Sequence, residues 1–263
     1  MQQIRDMVDD DCSLTLKELQ VLIEDMFGVQ ISKSTIANYI VGWRYSLKRI
    51  TVRCEASFTP ELELARRDYS MWVLQQVATD TPLIYLDEVG FKVNMRRFYG
   101  RSPKGVKAIR KAPSLHSKNI SVIAAMGKNG ILHYSVLDGN CNQVRFSHFI
   151  DDLATRRDAV NMGATTTVIM DNMSAHRTGL AVEMLEIRGF RWRYLPQYSP
   201  FHNPIEMMFA QWKSLIRSIE PTNEEELLEA IQSFVLTPLQ AQNYIGHAHK
   251  NAINCLAGLA MDN

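Results

Sequence analysis

Leu83-Ile84-Tyr85-Leu86-Asp87-Glu88 decides the fold of this chain, together with Thr167-Val168-Ile169-Met170-Asp171-Asn172. Each is a short apolar run closed by an aspartate, and each reads as a buried strand. A third acidic residue, Glu206 in Asn203-Pro204-Ile205-Glu206, opens a strongly periodic helix; 34 residues lie between Asp171 and Glu206. Carboxylates at the ends of adjacent strands face a common cleft. Three of them gather enough negative charge to hold two divalent cations, the arrangement that phosphodiester chemistry uses.

Around these two runs the pattern is mixed. Arg96–Gly100, Asn119–Met126 and Ile131–Leu137 read as further strands, the last two joined by Lys128-Asn129-Gly130, a hairpin turn with the favoured Asn-Gly pair. Gln143–Arg157 is an amphipathic helix, Thr166–Met170 a strand, His176–Arg188 a helix and Phe190–Leu195 the last strand. Early antiparallel strands followed by strand–helix–strand units make a mixed α/β sheet. The remainder is helical: Pro204–Ile219, Glu224–Val235 and Pro238–Leu259.

Before the sheet, residues 1–50 read as three short helices. Met1–Asp9 is the first. Thr15 and Glu18 form a capping box for the second, and Gly28 ends it. Ser32 caps the third, which runs through Ile36, Tyr39 and Ile40. Helix, glycine-containing turn, helix is the helix-turn-helix pattern, whose second helix enters the major groove; a plain three-helix bundle reads the same way. In the first case Lys33, Ser34, Thr35 and Asn38 face bases or phosphates. Thr59-Pro60-Glu61 starts a linker helix to about Ala78. The expected division is 1–52 helix-turn-helix, 53–82 linker helix, 83–220 catalytic domain and 221–263 helical extension.

The 263 residues carry a net charge of only +1, with 46% apolar and 22% charged side chains. That balance hides an asymmetry. Val89–Leu137 has no Asp or Glu, yet holds Lys92, Arg96, Arg97, Arg101, Lys104, Lys107, Arg110, Lys111, Lys118 and Lys128. Such a block is either a polyanion track or a solvated basic hairpin. The four cysteines are scattered and form no C-x-x-C pair, which speaks against a zinc site or a disulfide framework. No apolar run approaches 18 residues, and the N-terminus has no signal-peptide core, so no membrane is expected. A phosphate loop, a nucleophile elbow and a zinc-protease helix are all absent as motifs.

Each candidate residue has a plainer reading beside the chemical one. Asn203 as N-cap, Pro204 at N1 and Glu206 at N3 make a capping arrangement by themselves. Against that, Glu206, Lys213 and Arg217 share one helix face, a carboxylate with two cations that suits metal and DNA phosphate. A strand-terminal Asp is often only a turn residue. Glu88 points to the opposite strand face by alternation and reads as structural. Ser174 reads as the next helix's N-cap. Asn172, His176, His202 and Asn203 are candidates to support the triad from behind, with turn or core roles as the alternative.

Taken together, Leu86-Asp87-Glu88-Val89-Gly90-Phe91, Met170-Asp171-Asn172-Met173-Ser174-Ala175-His176 and Tyr198-Ser199-Pro200-Phe201-His202-Asn203-Pro204-Ile205-Glu206 resemble the mariner-type transposases and their insertion-sequence relatives, the DDE superfamily endonucleases. The last segment resembles the family's S-P-x-x-N-P-x-E, and the 34-residue interval is one the family uses. The resemblance covers roughly residues 12–260. It implies a ribonuclease H-like mixed sheet with flanking helices, preceded by a small all-α domain. It implies Asp87, Asp171 and Glu206 as the triad, Asp87 bridging two Mg²⁺ or Mn²⁺ ions, and cut-and-paste chemistry on double-stranded DNA, both transposon ends and target. A homodimer is expected, with no small-molecule cofactor. Residues 1–50 supply one helix-turn-helix, resembling the second of the family's usual two, which leaves specific end recognition in question. An idle, truncated DNA-binding descendant is therefore the alternative reading. A nuclease that cuts without joining is a third. The expected compartment is the nucleus in a eukaryotic host, otherwise the cytoplasm.

Overall fold

The structure is a computed structural model that describes residues 2–48, 50, 58–110, 119–137, 139, 141–163 and 165–259. The chain divides into two compact units, Met1–Glu55 and Ala56–Asn263.

The first unit holds α1 (Gln2–Asp10), α2 (Leu16–Phe27) and α3 (Lys33–Gly42). The Thr15–Glu18 capping box forms in full, and Gly28 ends α2 in the left-handed region at φ 65°. That conformation costs a glycine little, which is why the helix stops there. The Ser32 side chain accepts from the Thr35 N–H at the start of α3. Ile4, Leu19, Ile23 and Ile36 are buried together and supply the small core.

The second unit begins with α4 (Pro60–Ala78), capped by Thr59 with Pro60 at its first position. The segment expected as a linker thus contributes a helix to this unit, packed against the last one, α9 (Pro238–Leu256). Five strands follow: β1 (Leu83–Phe91), β2 (Ile120–Gly127), β3 (Gly130–Leu137), β4 (Thr167–Met170) and β5 (Arg191–Tyr194). Their order across the sheet is β3-β2-β1-β4-β5. The β1–β2 and β2–β3 pairs are antiparallel, and β1–β4 and β4–β5 are parallel. The mixed sheet expected from the sequence is present.

Helices cover both faces. α5 (Gln143–Ala159) and α6 (Gly179–Ile187) pack over Ile84, Leu86, Ile123, Val168 and Met170. α4, α7 (Ile205–Ile219), α8 (Glu224–Gln232) and α9 cover Tyr85, Val89, Phe91, Val122 and Ile169. Trp212 of α7 is fully buried there, 5.4 Å from the Phe91 ring and 4.7 Å from that of Phe234. Consecutive residues of β1 therefore serve opposite cores, as the pleat requires.

Three expectations fail. Arg96–Gly100 is not a strand; Arg96 spends its guanidinium on the carbonyls of Val93, Met95 and Pro221 and holds the segment in an irregular course. The helix expected at His176 starts at Gly179, after a 3-10 turn over Ser174–Arg177, and its N-cap is Thr178 rather than Ser174. The last two helices end earlier than their apolar periodicity suggested, at Gln232 and Leu256.

Candidate active site

Parallel pairing sets Leu86 of β1 beside Met170 of β4. The next residues along these strands are Asp87 and Asp171. Alternation puts both on the face of Tyr85, Val89 and Ile169, the side covered by α7. The Pro200–Pro204 turn then feeds α7, so that Asp87, Asp171, Asn172, Asn203 and Glu206 line one cleft of about 480 Å³. Adjacent to it, a hollow of about 450 Å³ bordered by α7 and α9 shares Asn203 and Glu206.

Hydrogen bonds hold the two aspartates. Asp87 Oδ1 accepts the Glu88 backbone N–H at 2.8 Å, and Oδ2 accepts from the Asn203 amide at 2.9 Å. Asp171 Oδ1 accepts the Met173 N–H at 3.1 Å. Asn172 donates to the Leu195 carbonyl at 3.0 Å, which ties the end of β4 to the end of β5. Asn203 is thus no helix cap: Pro204 occupies the cap position of α7, and no side chain caps that end. The N–H of Glu206 is met by the backbone carbonyl of Asn203 instead.

The electrostatics follow from the crowding. Burial pushes Asp87 up to about 8, the Glu88 N–H pulling it down and the charges of Glu206, Asp171 and Glu88 pushing it further up. Glu206 is also raised, by the protein packed about its carboxyl, with Lys213 opposing and Asp171 adding to the rise. These are acids that resist ionising together, a condition that a bound cation relieves. The donors are carboxylate oxygens, which suit a hard cation such as Mg²⁺ or Mn²⁺. Among the described residues, no three His, Cys, Asp or Glu side chains stand close enough to enclose a single ion. The set fits by donor chemistry and charge, with the carboxylates distributed around the cleft.

The two nearby histidines part company. His176 is fully buried, its Nε2 2.9 Å from Glu88 Oε1 and its Nδ1 2.8 Å from Asp171 Oδ1. Burial lowers its pKa, but Asp171 and Glu88 outweigh that and lift it to about 10. Glu88, on the opposite strand face as expected, reaches His176, five residues beyond Asp171. His202 is equally buried, between the rings of Tyr69 and Phe201, and burial and then Arg66 lower it to about 4. Neither of its ring nitrogens has a hydrogen-bond partner among the described residues.

The expected DNA-contacting residues are spread. Lys213 lies near Glu206, and the Arg217 guanidinium sits 4.6 Å from the centre of the Phe98 ring. Arg97, Arg101, Lys104 and Lys107 are exposed, whereas Arg96 is half-buried on its carbonyls. Arg110 pairs bidentately with Glu220 at 2.5 Å, and Lys128 pairs with Asp80. Lys111 and Lys118 lie outside the described residues. In the first unit Lys33, Ser34 and Asn38 are exposed along α3, and Thr35 is half-buried. The Thr35 hydroxyl hydrogen-bonds that of Ser32.

Residues 82–228, more than half of the chain, match the family described as DDE superfamily endonuclease. The chain belongs to that family. No curated protein matches this chain in sequence. Among solved structures, the Mos1 mariner paired-end complex with Mn is similar at 14% identity and a TM-score of 0.78, over 97% of this chain and 77% of that one. The Mos1 strand transfer complex is similar at 15% identity and a TM-score of 0.73, over 98% and 77%. The catalytic domain of Mos1 mariner transposase aligns at 13% identity and a TM-score of 0.62, over 79% and 97%. At such identities the likeness is one of fold, and the fold is the ribonuclease H-like sheet with flanking helices expected for the endonuclease.

Proposed function

We propose that this endonuclease is a mariner-type transposase that cuts DNA and joins the freed end to a new site. One observation carries the reading: Asp87, in β1 one residue past its parallel pairing with β4, and Asp171, one residue past the end of β4, share a face and a cleft with Glu206. The raised pKa of Asp87, caused first by burial and then by the neighbouring carboxylates, supports it, because a bound cation offsets both. Asp87, Asp171 and Glu206 are the residues that would hold Mg²⁺ or Mn²⁺. Two such ions, when bound, supply the Lewis acidity that activates water and stabilises the leaving 3′ oxygen.

The chain's own residues do the rest. Asn203 holds Asp87, and Asn172 closes the β4–β5 edge beneath Asp171. Lys213 lies near Glu206 and offers a counter-charge to a DNA phosphate. Attack of water breaks the bond between phosphorus and the 3′ oxygen, leaving a 5′ phosphate and a 3′ hydroxyl. That hydroxyl then displaces a 3′ oxygen in target DNA. The exposed Arg97, Arg101, Lys104 and Lys107 and the α3 residues Lys33, Ser34, Thr35 and Asn38 are proposed DNA contacts. The Mos1 complexes with transposon ends and strand-transfer DNA lend support to DNA ends and target as partners, and a homodimer goes with that reading. The compartment is then the nucleus of a eukaryotic host or the cytoplasm of a bacterial one.

The test is Mn²⁺-dependent nicking of supercoiled plasmid by purified protein, beside Asp171→Asn. Loss of one carboxylate is expected to slow nicking by on the order of 10³-fold or more. Equal nicking by both proteins would remove Asp171 from the reaction. No nicking by folded, DNA-binding protein would turn the reading toward an idle descendant.

A further inference from the structure

β1 carries two carboxylates in succession, and only Asp87 lines the cleft. Glu88 lies on the other face, its side chain 12% exposed, where it meets the fully buried ring of His176. The ring stands 4.5 Å from that of Phe146 on α5. Its backbone is anchored twice: its N–H donates to the Met173 carbonyl at 3.1 Å, and its carbonyl accepts from the Tyr194 hydroxyl at 2.9 Å. One ring nitrogen faces Glu88 Oε1 and the other faces Asp171 Oδ1, at 2.9 and 2.8 Å. The Met173 N–H falls on the same Oδ1. Asp171 therefore meets the ring, in an ion-pair contact that is not aligned as a hydrogen bond, and the Met173 N–H through one and the same oxygen.

We propose that Glu88 and His176 are positioning residues, a brace that sets the orientation of the Asp171 carboxylate before any cation binds. This rests on the reading of Asp171 as a cation ligand. A strand-end aspartate on an irregular turn has several side-chain orientations open to it, and choosing one on binding costs conformational entropy. The brace removes that freedom in advance by spanning the sheet edge from β1 to the turn after β4. Groups that orient a ligand typically change metal affinity by 10- to 100-fold when lost.

Two measurements on the full-length protein test it, with Glu88→Gln and Glu88→Ala as variants. Gln keeps a neutral acceptor for the ring and Ala removes it, so a graded response is expected. The first is NMR without metal. The His176 ring ¹⁵N and Asp171 carboxyl ¹³C signals should move in both variants, further in Ala. Signals that stay in place overturn the brace, whatever the cleft binds. The second is Mn²⁺ affinity read from the EPR signal of free Mn²⁺, with Asp171→Asn as control. Glu88→Ala should weaken binding by about tenfold, with a shift in melting temperature that Mn²⁺ does not explain away. Wild-type affinity in folded Glu88→Ala, when Asp171→Asn has lost binding, also overturns the brace. If wild type and Asp171→Asn bind Mn²⁺ alike, the metal-site reading falls, and the metal-free NMR alone decides whether the brace exists.

Discussion

His176 and His202 are both fully buried and both lie within five residues of a candidate ligand, yet their surroundings give them opposite states. Two carboxylates face the ring of His176, so it stays protonated well above its ordinary range. His202 is enclosed by the rings of Tyr69 and Phe201 with Arg66 nearby, so it stays neutral. Burial opposes charge at both places. The difference lies wholly in what the ring nitrogens meet, and nothing in the nearby sequence distinguishes the two. One histidine belongs to the cleft's charge balance, the other to the packing that supports the Pro200–Pro204 turn.

Replacing each with leucine is the strongest way to break this contrast. His176→Leu leaves Glu88 and Asp171 without the cationic ring between them and should cost about 3 kcal/mol, at the low end for a broken buried pair because water reaches Asp171. His202→Leu removes two unpartnered ring nitrogens and should lie within about 1 kcal/mol of wild type, on either side. Urea unfolding at pH 7 measures both; equal losses would erase the distinction.

The pH dependence sharpens it, with opposite signs. A histidine whose pKa is lowered by folding stabilises the protein above its unfolded value of about 6.5, and that contribution is lost as pH falls toward the folded value. For His202 the window runs from about 6.5 down to about 4. Across it, wild type should lose up to about 3 kcal/mol relative to His202→Leu. A raised histidine behaves in reverse. His176 contributes below about 6.5 and loses its contribution as pH climbs through about 10. Stability curves of wild type and the two variants that stay parallel from pH 4 to 10 would refute both assignments. The smallest effect is at the cleft mouth. Lys213→Ala removes a cation that pulls Glu206 down, so Glu206 should titrate higher. Carboxyl ¹³C NMR against pH reads this, and an unmoved midpoint would separate Lys213 from the cleft.

Much of this site was legible before any coordinates. Apolar runs that lead to Asp87 and Asp171 declare buried strands, although β1 runs on past Asp87 to Phe91 because β2 pairs with it there, and alternation correctly sends Asp87 and Glu88 to different faces. What alternation does not tell is who waits on the far face. The Glu88–His176 contact joins residues 88 apart in sequence, through a turn whose path depends on Thr178, not Ser174, opening α6. Asn203 departs from the expected cap for a related reason. Its position before Pro204 fits a helix cap, and only the folded sheet brings Asp87 within reach of its amide. The Arg96–Gly100 stretch reads as a strand because Phe98 and Tyr99 favour one; both are exposed, Phe98 beneath the Arg217 guanidinium. Local pattern reads partners close in sequence, and the errors gather where the partner is remote.

α7 starts with no side-chain cap, because the asparagine in front of it is holding an aspartate. For anyone engineering the protein this sets a trap. Substituting a residue that caps well, such as Ser, one step before Pro204 is an obvious stabilising edit, worth about 1 kcal/mol when a cap is gained. The same edit withdraws the amide from Asp87. Libraries sorted for heat resistance and libraries sorted for DNA cutting should therefore diverge at position 203.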